Sequence, residues 1–126
     1  MKTILIVDDS RVIREMISRQ LKHNGWIAIE AENGLEAQRA IASARPDLIV
    51  TDVIMPEMNG YELCRWLKSS DRYANIPVVM CTSKGEEVDR YWGTKQGADA
   101  YVTKPFVVED LQTIVVALLA AASRAA

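Results

Sequence analysis

Carboxylate, hydroxyl and ammonium side chains follow several short apolar runs of this sequence, at positions where a buried strand would end. The run Thr3-Ile-Leu-Ile-Val7 ends in two adjacent aspartates, and burying one unpaired carboxylate already costs several kcal/mol. A second like charge beside it raises that cost. The polar residues that end this run and three similar runs are Asp8, Asp9, Asp52, Thr82, Ser83 and Lys104. If the fold brings them together, a cation must offset the carboxylates.

The apolar runs have the length of β-strands and alternate with helical patterns. Strands are predicted over residues 3–7, 26–31, 47–51, 77–81 and 100–103. Helices are predicted over residues 12–21, 35–44, 60–67, 86–96 and 108–123. Ser10 is a candidate N-cap, and Asn24-Gly25 is a helix stop signal. Aliphatic strands that alternate with helices predict a parallel sheet covered on both faces, which is a doubly wound α/β domain with five strands and five helices.

In such a sheet, ligands bind at the carboxyl ends of the strands, where the strand order reverses. The polar residues above all fall there. Three carboxylates around one point call for a divalent cation, and an oxygen-only set favours Mg²⁺. Lys104 and the Thr82 hydroxyl could hold an anion on its other side. Taken singly, an Asp after a strand is usually a turn residue or helix cap, but their common edge favours a shared site.

The composition fits one globular domain. The chain has 126 residues, of which 49% are hydrophobic and 25% charged, enough for a core without disulfides. A net charge of -2 without a basic cluster argues against nucleic-acid binding. Cys64 and Cys81 lie in apolar segments and are expected to be buried thiols of a reducing compartment. No apolar run is long enough for a signal peptide or a membrane span, so we expect a single cytoplasmic domain over residues 1–126.

Four motifs together resemble the signature of response-regulator receiver domains, the phosphoacceptor half of two-component signalling. The resemblance extends from residue 2 to about residue 123, and it implies a flavodoxin-like sheet with strand order 2-1-3-4-5. The motifs are Val7-Asp-Asp-Ser10, Asp52 followed by Met55-Pro-Glu-Met-Asn-Gly60, Thr82-Ser83, and Gly97-Ala-Asp-Ala-Tyr-Val-Thr-Lys-Pro-Phe106.

The resemblance also implies roles for the residues at the strand ends. Asp52 would be the phosphorylated aspartate. Mg²⁺ would be bound by Asp9, Asp52 and the backbone carbonyl of Ile54, with Asp8 acting largely through water. Lys104 would pair with the phosphoryl group that a histidine kinase supplies, because Mg²⁺ and lysine neutralise charge on a transferring phosphoryl group.

Two further residues resemble the switch of the family. Thr82 would donate its hydroxyl to the phosphoryl group, and Tyr101 would turn into the space that Thr82 vacates. This movement would repack the face made by the predicted helix at residues 86–96, the fifth strand and the last helix. We expect that face to bind a downstream target protein or to form a weak dimer.

A finer resemblance is to single-domain regulators of the CheY kind, and residues 82–97 look closer to the PilH-like regulators of type IV pilus motility and phototaxis. This resemblance implies a CheA-like histidine kinase as partner and no output domain in the chain. Output would then pass through another protein.

Three hypotheses of the function remain. The first is a phosphorylatable switch whose only catalysis is its own phosphorylation and dephosphorylation. The second is a receiver-like binding module that never takes phosphate, which the full set Asp8, Asp9, Asp52, Thr82 and Lys104 disfavours. The third is a small Mg²⁺-dependent phosphatase, which is disfavoured because nothing in the sequence supplies a cap domain or substrate pocket.

Overall fold

Five parallel strands and four helices make up the part of the chain that the structure describes. The computed structural model describes residues 1–83, 97–104 and 107–125, with the backbone alone at residues 82, 83, 124 and 125. The strands are β1 (Thr3–Val7), β2 (Ile27–Ala31), β3 (Leu48–Asp52), β4 (Val78–Ser83) and β5 (Ala100–Lys104). The helices are α1 (Arg11–His23), α2 (Gly34–Ala44), α3 (Gly60–Lys68) and α4 (Val108–Ala125). The helix predicted at residues 86–96 lies outside the described residues.

The sheet has the order β2-β1-β3-β4-β5, and all four neighbouring pairs are parallel. This confirms the predicted doubly wound α/β architecture and its strand order. Three strand ends were predicted too short, since β3 continues to Asp52, which pairs with Cys81, β4 continues to Ser83, and β5 continues to Lys104. The reason is that the backbone ladder persists through the pairs Thr82 with Thr103 and Ser83 with Lys104, and ladder hydrogen bonds do not require apolar side chains.

The two faces of the sheet bury separate apolar clusters. Successive strand residues point to opposite faces, so β1 contributes Leu5 and Val7 to one cluster and Ile4 and Ile6 to the other. The first cluster packs under α2 and α3 through Ala37, Ile41, Leu63, Cys64 and Leu67. The second packs under α1 and α4 through Ile17, Leu21, Leu111, Val115 and Leu119. Burial on both faces explains why the central strands are aliphatic throughout.

Each helix whose start is fully described begins with a side-chain cap just after a strand or loop. The hydroxyl of Ser10 accepts a hydrogen bond from the Ile13 N–H at 3.3 Å, as predicted. Asn33 caps α2 by accepting from the Glu36 N–H at 2.8 Å. Asn59 and Glu62 form a reciprocal capping box on α3. These caps satisfy N–H groups that have no partner within the helix.

Both cysteines are buried and neither is in a disulfide, which confirms the predicted burial of these thiols. Burial raises the pKa of the Cys64 thiol to about 11 and that of Cys81 to about 12. Because the thiolate is the reactive form, these side chains act as small apolar core residues. None of the helices within the described ranges has the length and apolarity needed to cross a bilayer.

The turn between β3 and α3 folds back closely on the strand. The Gly60 N–H donates to the Val53 carbonyl at 2.8 Å. A methyl group at Gly60 would collide with the backbone carbonyl of Asp52 and come within 3.0 Å of the Val53 Cα. The same turn holds Glu57 at φ 71, a conformation that costs a non-glycine residue free energy. Position 60 therefore needs glycine for space.

Gly60→Ala tests this close approach. We expect it to lower the free energy of unfolding by about 2 kcal/mol through overpacking and to shift the backbone amide resonances of Asp52 and Val53. Gly25→Ala is the control, because Gly25 has φ 90 with open space around it and lies at the other end of the sheet. That variant should lose stability through backbone strain alone and leave the Asp52 resonance in place. Wild-type stability in Gly60→Ala would contradict the steric account.

Candidate functional site

The carboxyl edge of the sheet brings three predicted carboxylates together. Asp8 and Asp9 follow β1, and Asp52 is the last residue of the neighbouring strand β3. One carboxylate oxygen from each lies within 4.8 Å of the others. The site falls where the strand order reverses, since β1 is followed in sequence by β2 on one side and pairs with β3 on the other. This is the position at which open α/β sheets bind ligands.

Asp8 is nearly completely buried and is held from four directions. Its N–H donates to the Ala31 carbonyl at 3.1 Å, and its carbonyl accepts from Arg14 Nη1 at 2.8 Å. Its carboxylate accepts from the Ser10 N–H at 2.8 Å through Oδ1 and from Lys104 Nζ at 3.1 Å through Oδ2. A buried carboxylate is tolerated when its oxygens are hydrogen-bonded and paired, and both conditions hold here.

Asp52 shares Lys104 with Asp8. Lys104 Nζ lies 3.4 Å from Asp52 Oδ1, and the same oxygen accepts from the Val53 N–H at 2.9 Å. Asp9, in contrast, has an exposed side chain. The cluster thus combines one buried, one partly buried and one exposed carboxylate, with access from solvent.

Burial and neighbouring charges perturb the two ionisable groups that face each other. Burial raises the pKa of Asp52, the Asp8 carboxylate adds to this effect, and Lys104 partly opposes it. Burial lowers the pKa of Lys104, but attraction to Asp52 and Asp8 outweighs it and the net shift is upward. Lys104 therefore stays protonated at neutral pH.

The donor set fits a divalent cation. Among the described residues, three carboxylates surround the point that Lys104 approaches with a single positive charge. The cluster keeps an excess of negative charge, and all of its donors are oxygen atoms. Oxygen-only sets with one or two carboxylates and open positions for water suit Mg²⁺. The residues present therefore fit the ion that the sequence predicts.

The structure describes fewer contacts for the other predicted site residues, Ile54, Thr82 and Tyr101. Ile54 follows Asp52 by two positions and is 64% exposed. The backbone of Thr82 pairs with Thr103 in the ladder, directly after the Cys81 to Asp52 pair, and its side chain is not described. Tyr101 is the second residue of β5 and packs, half-buried, against the apolar cluster under α2 and α3.

Sequence reasoning missed Arg14, which contacts the backbone of the acidic pair. One signal was available, since Arg14 places a cation near the start of α1, whose first turn has no acidic residue. A positive charge at a helix N-terminus opposes the helix dipole. A cation at this position is therefore expected to have a nearby contact that offsets the unfavourable interaction with the helix dipole.

Comparisons with known proteins agree with this geometry. The model of the response regulator receiver domain matches residues 4–116. The chain is 46% identical over 110 residues to the phosphate regulon transcriptional regulatory protein PhoB of Pseudomonas aeruginosa, covering 87% of this chain and 48% of that protein. It is 42% identical over 116 residues to the response regulator MprA of Mycobacterium ulcerans, covering 92% and 49%. The chain spans about half the length of these curated relatives.

Solved structures show the same fold. The signal receiver domain of a signal transduction histidine kinase from Syntrophus aciditrophicus superposes with a TM-score of 0.90 at 40% identity, covering 96% of this chain and 92% of that one. The chemotaxis response regulator CheY4 of Vibrio cholerae superposes with a TM-score of 0.88 at 33% identity, covering 94% and 98%. From these matches and its acidic cluster, the chain belongs to the response regulator receiver domains of two-component systems.

Proposed function

We propose that this receiver domain accepts a phosphoryl group on Asp52 from the phosphohistidine of a histidine kinase. The observation that carries the proposal is the position of Asp52, whose carboxylate lies beside the acidic pair and 3.4 Å from Lys104 Nζ. A phosphoryl group that approaches the Asp52 carboxylate would lie between a cation-binding cluster and the Lys104 ammonium group. That is the arrangement phosphoryl transfer needs, because its catalysis rests on positioning and charge neutralisation.

The described contacts of the Asp52 carboxylate both fall on Oδ1, so we assign Oδ2 as the attacking oxygen. Oδ2 forms a bond to phosphorus while the phosphorus–nitrogen bond of the phosphohistidine breaks. The imidazole leaves with that electron pair and takes a proton from solvent. Lys104 Nζ pairs with the phosphoryl oxygens, and the Thr82 hydroxyl donates to one of them.

Asp9, Asp52 and the carbonyl of Ile54 would hold Mg²⁺, and Asp8 would act on it through water. The bound ion supplies positive charge that offsets the charge of the transferring phosphoryl group. Asp8 suits an indirect role because both of its carboxylate oxygens already accept hydrogen bonds. Asp9 suits a direct one because its side chain is exposed.

The response would leave the domain through β5. Lys104 ends this strand and Tyr101 lies three residues before it, so a new partner for Lys104 acts on the strand that carries the aromatic ring. Thr82 and Tyr101 would act as the switch pair, repacking the face formed by the predicted helix at residues 86–96, β5 and α4. A downstream target protein, or a second copy in a weak dimer, would bind there.

Residues 1–126 would work as a single receiver domain, with a CheA-like kinase as donor and motility or taxis as the pathway. Support comes from the similarity to CheY4 and from the PilH-like pattern of residues 82–97, which lie mostly outside the described residues. Of the curated relatives, PhoB is by name a transcriptional regulatory protein of the phosphate regulon and MprA a response regulator. The motility assignment therefore rests on these two resemblances.

Phosphorylation with a small-molecule donor tests the acceptor. Acetyl phosphate with Mg²⁺ should add one acid-labile phosphoryl group, visible by intact-mass spectrometry, and chelation of the metal should stop the reaction. Asp52→Asn should abolish the adduct, whereas Asp71→Asn, at an exposed position outside the cluster, should keep it. An adduct that persists in Asp52→Asn would refute the assignment, and a wild type without any adduct would favour a receiver-like binding module.

Stability without metal tests the charge state of the cluster. Burial raises the folded-state pKa of Asp52 above the ordinary aspartate value of 3.8, so the folded chain binds the proton more tightly and loses stability as pH rises through that window. At pH 7 in chelator, Asp52→Asn should therefore have a higher melting temperature than wild type. The difference should shrink as pH falls towards the ordinary aspartate pKa. Asp71→Asn is the control, and a lower melting temperature for Asp52→Asn at pH 7 would contradict the prediction.

The lifetime of phospho-Asp52 should depend on Ile54. Its exposed, branched side chain lies two residues after the acceptor, where it cannot orient an attacking water, and Lys84, outside the described residues, is expected to occupy the same approach. Ile54→Asn should accelerate dephosphorylation of the isolated domain roughly fivefold, the value of one hydrogen bond of about 1 kcal/mol. Lys84→Glu should also accelerate it, and Ile54→Val should not. Unchanged or slower decay in both polar variants would show that neither side chain limits water access.

A further inference from the structure

Arg14 joins three elements around the acidic cluster. It projects from α1, donates from Nη1 to the Asp8 carbonyl at 2.8 Å, and donates from Nε to Glu30 Oε1 on β2 at 3.3 Å. Its side chain is only 14% exposed. A guanidinium removed from water to this extent needs both its charge and its N–H groups compensated, and these two contacts supply that compensation.

The Asp8 carbonyl belongs to the peptide group that links Asp8 to Asp9. The other described contacts of Asp8 hold its N–H and its carboxylate, while Asp9 has an exposed side chain. Fixing the carbonyl of this peptide fixes the plane of the whole group. Arg14 thereby sets the direction in which the chain leaves Asp8 and presents Asp9.

We propose that Arg14, anchored by Glu30, is a positioning residue for divalent-cation binding at the cluster of Asp8, Asp9 and Asp52. The inference rests on the proposed function of that cluster as a cation site. Arg14 itself touches neither the cation nor the phosphoryl group. It acts through the peptide that carries the ligand Asp9, in the way that outer hydrogen bonds orient metal ligands.

The direction in which cation affinity changes when Arg14 is replaced separates a positioning role from a purely electrostatic one. Removing a positive charge near an acidic cluster should tighten cation binding if Arg14 acts only through its charge. Removing a support for the Asp8–Asp9 peptide should weaken binding. A purely structural role would lower thermal stability and leave the dissociation constant unchanged.

The experiment measures Mn²⁺ binding by calorimetry and by electron paramagnetic resonance, with melting temperatures in chelator as a separate readout. Arg14→Gln should weaken Mn²⁺ binding about tenfold, as loss of an outer-shell partner does. Arg14→Lys, which keeps the charge and one donor, should fall between it and wild type. Arg11→Gln is the matched control, since Arg11 carries the same charge on the same helix but pairs with Glu15 at the surface. Its dissociation constant should stay within about twofold of wild type, as expected for an exposed pair.

Each outcome decides a different claim. If wild type binds no Mn²⁺, or Asp9→Ala binds it equally well, the proposed cation site fails and the role of Arg14 falls with it. If wild type binds and Asp9→Ala does not, but Arg14→Gln binds as tightly or more tightly, the positioning role alone is overturned. Glu30→Gln covers the case in which Arg14→Gln does not fold. It should weaken Mn²⁺ binding more than Glu15→Gln, which removes the same charge from a surface pair on α1, and equal dissociation constants in the two folded variants would overturn the inference.

Discussion

The ion pair between Lys104 and Asp8 is the contact on which the arrangement of the site depends. It joins the end of β5 to the end of β1 across two intervening strands, with Nζ 3.1 Å from Asp8 Oδ2 and 3.4 Å from Asp52 Oδ1. Burying two charges is costly unless geometry and further hydrogen bonds compensate. Here the Ser10 N–H and Arg14 supply those bonds to Asp8. The site is therefore a buried charge network open on the side of Asp9, and it can take up more positive charge than Lys104 provides.

The apolar sheet makes this network possible by placing all its members at one edge. Strands with both faces buried must be aliphatic, so polar residues are displaced to the strand ends, and parallel strands put those ends on the same side. α1 and α2 begin within four residues of β1 and β2, with caps at Ser10 and Asn33, and α3 begins after a longer turn with its cap at Asn59. Gly60 brings the start of α3 against the carbonyl of Asp52. Burial of both faces of the sheet therefore both forms the apolar core and places the polar site residues together at the strand ends.

How far the sequence predicts this structure follows from the range of each interaction. The strands and the order of the elements were predictable because they depend on runs of apolar residues and on helix signals that are local in sequence. The extensions of β4 and β5 were missed because they depend on backbone pairing between distant segments. The convergence of Asp8, Asp9 and Asp52 followed from the rule for parallel sheets. The contact of Arg14 with the Asp8 carbonyl did not, since the first turn of α1 signals that a cation there needs a compensating contact, but the partner depends on the orientation of α1 over β1.

The position of β5 in the sheet gives a physical reason for the proposed signalling through this strand. Within the described sheet, β5 is an edge strand bonded to β4 alone, so shifting it strains one ladder, whereas shifting β1 or β3 would strain two. Its terminal Lys104 is held by Asp8 and Asp52, and a phosphoryl group on Asp52 would compete with Asp8 for the ammonium. Tyr101, on the same strand, packs against the cluster under α2 and α3 rather than deep within it. Under the proposed function, a change of charge at Lys104 would therefore act on the strand that carries Tyr101, and a partner protein would respond to that change.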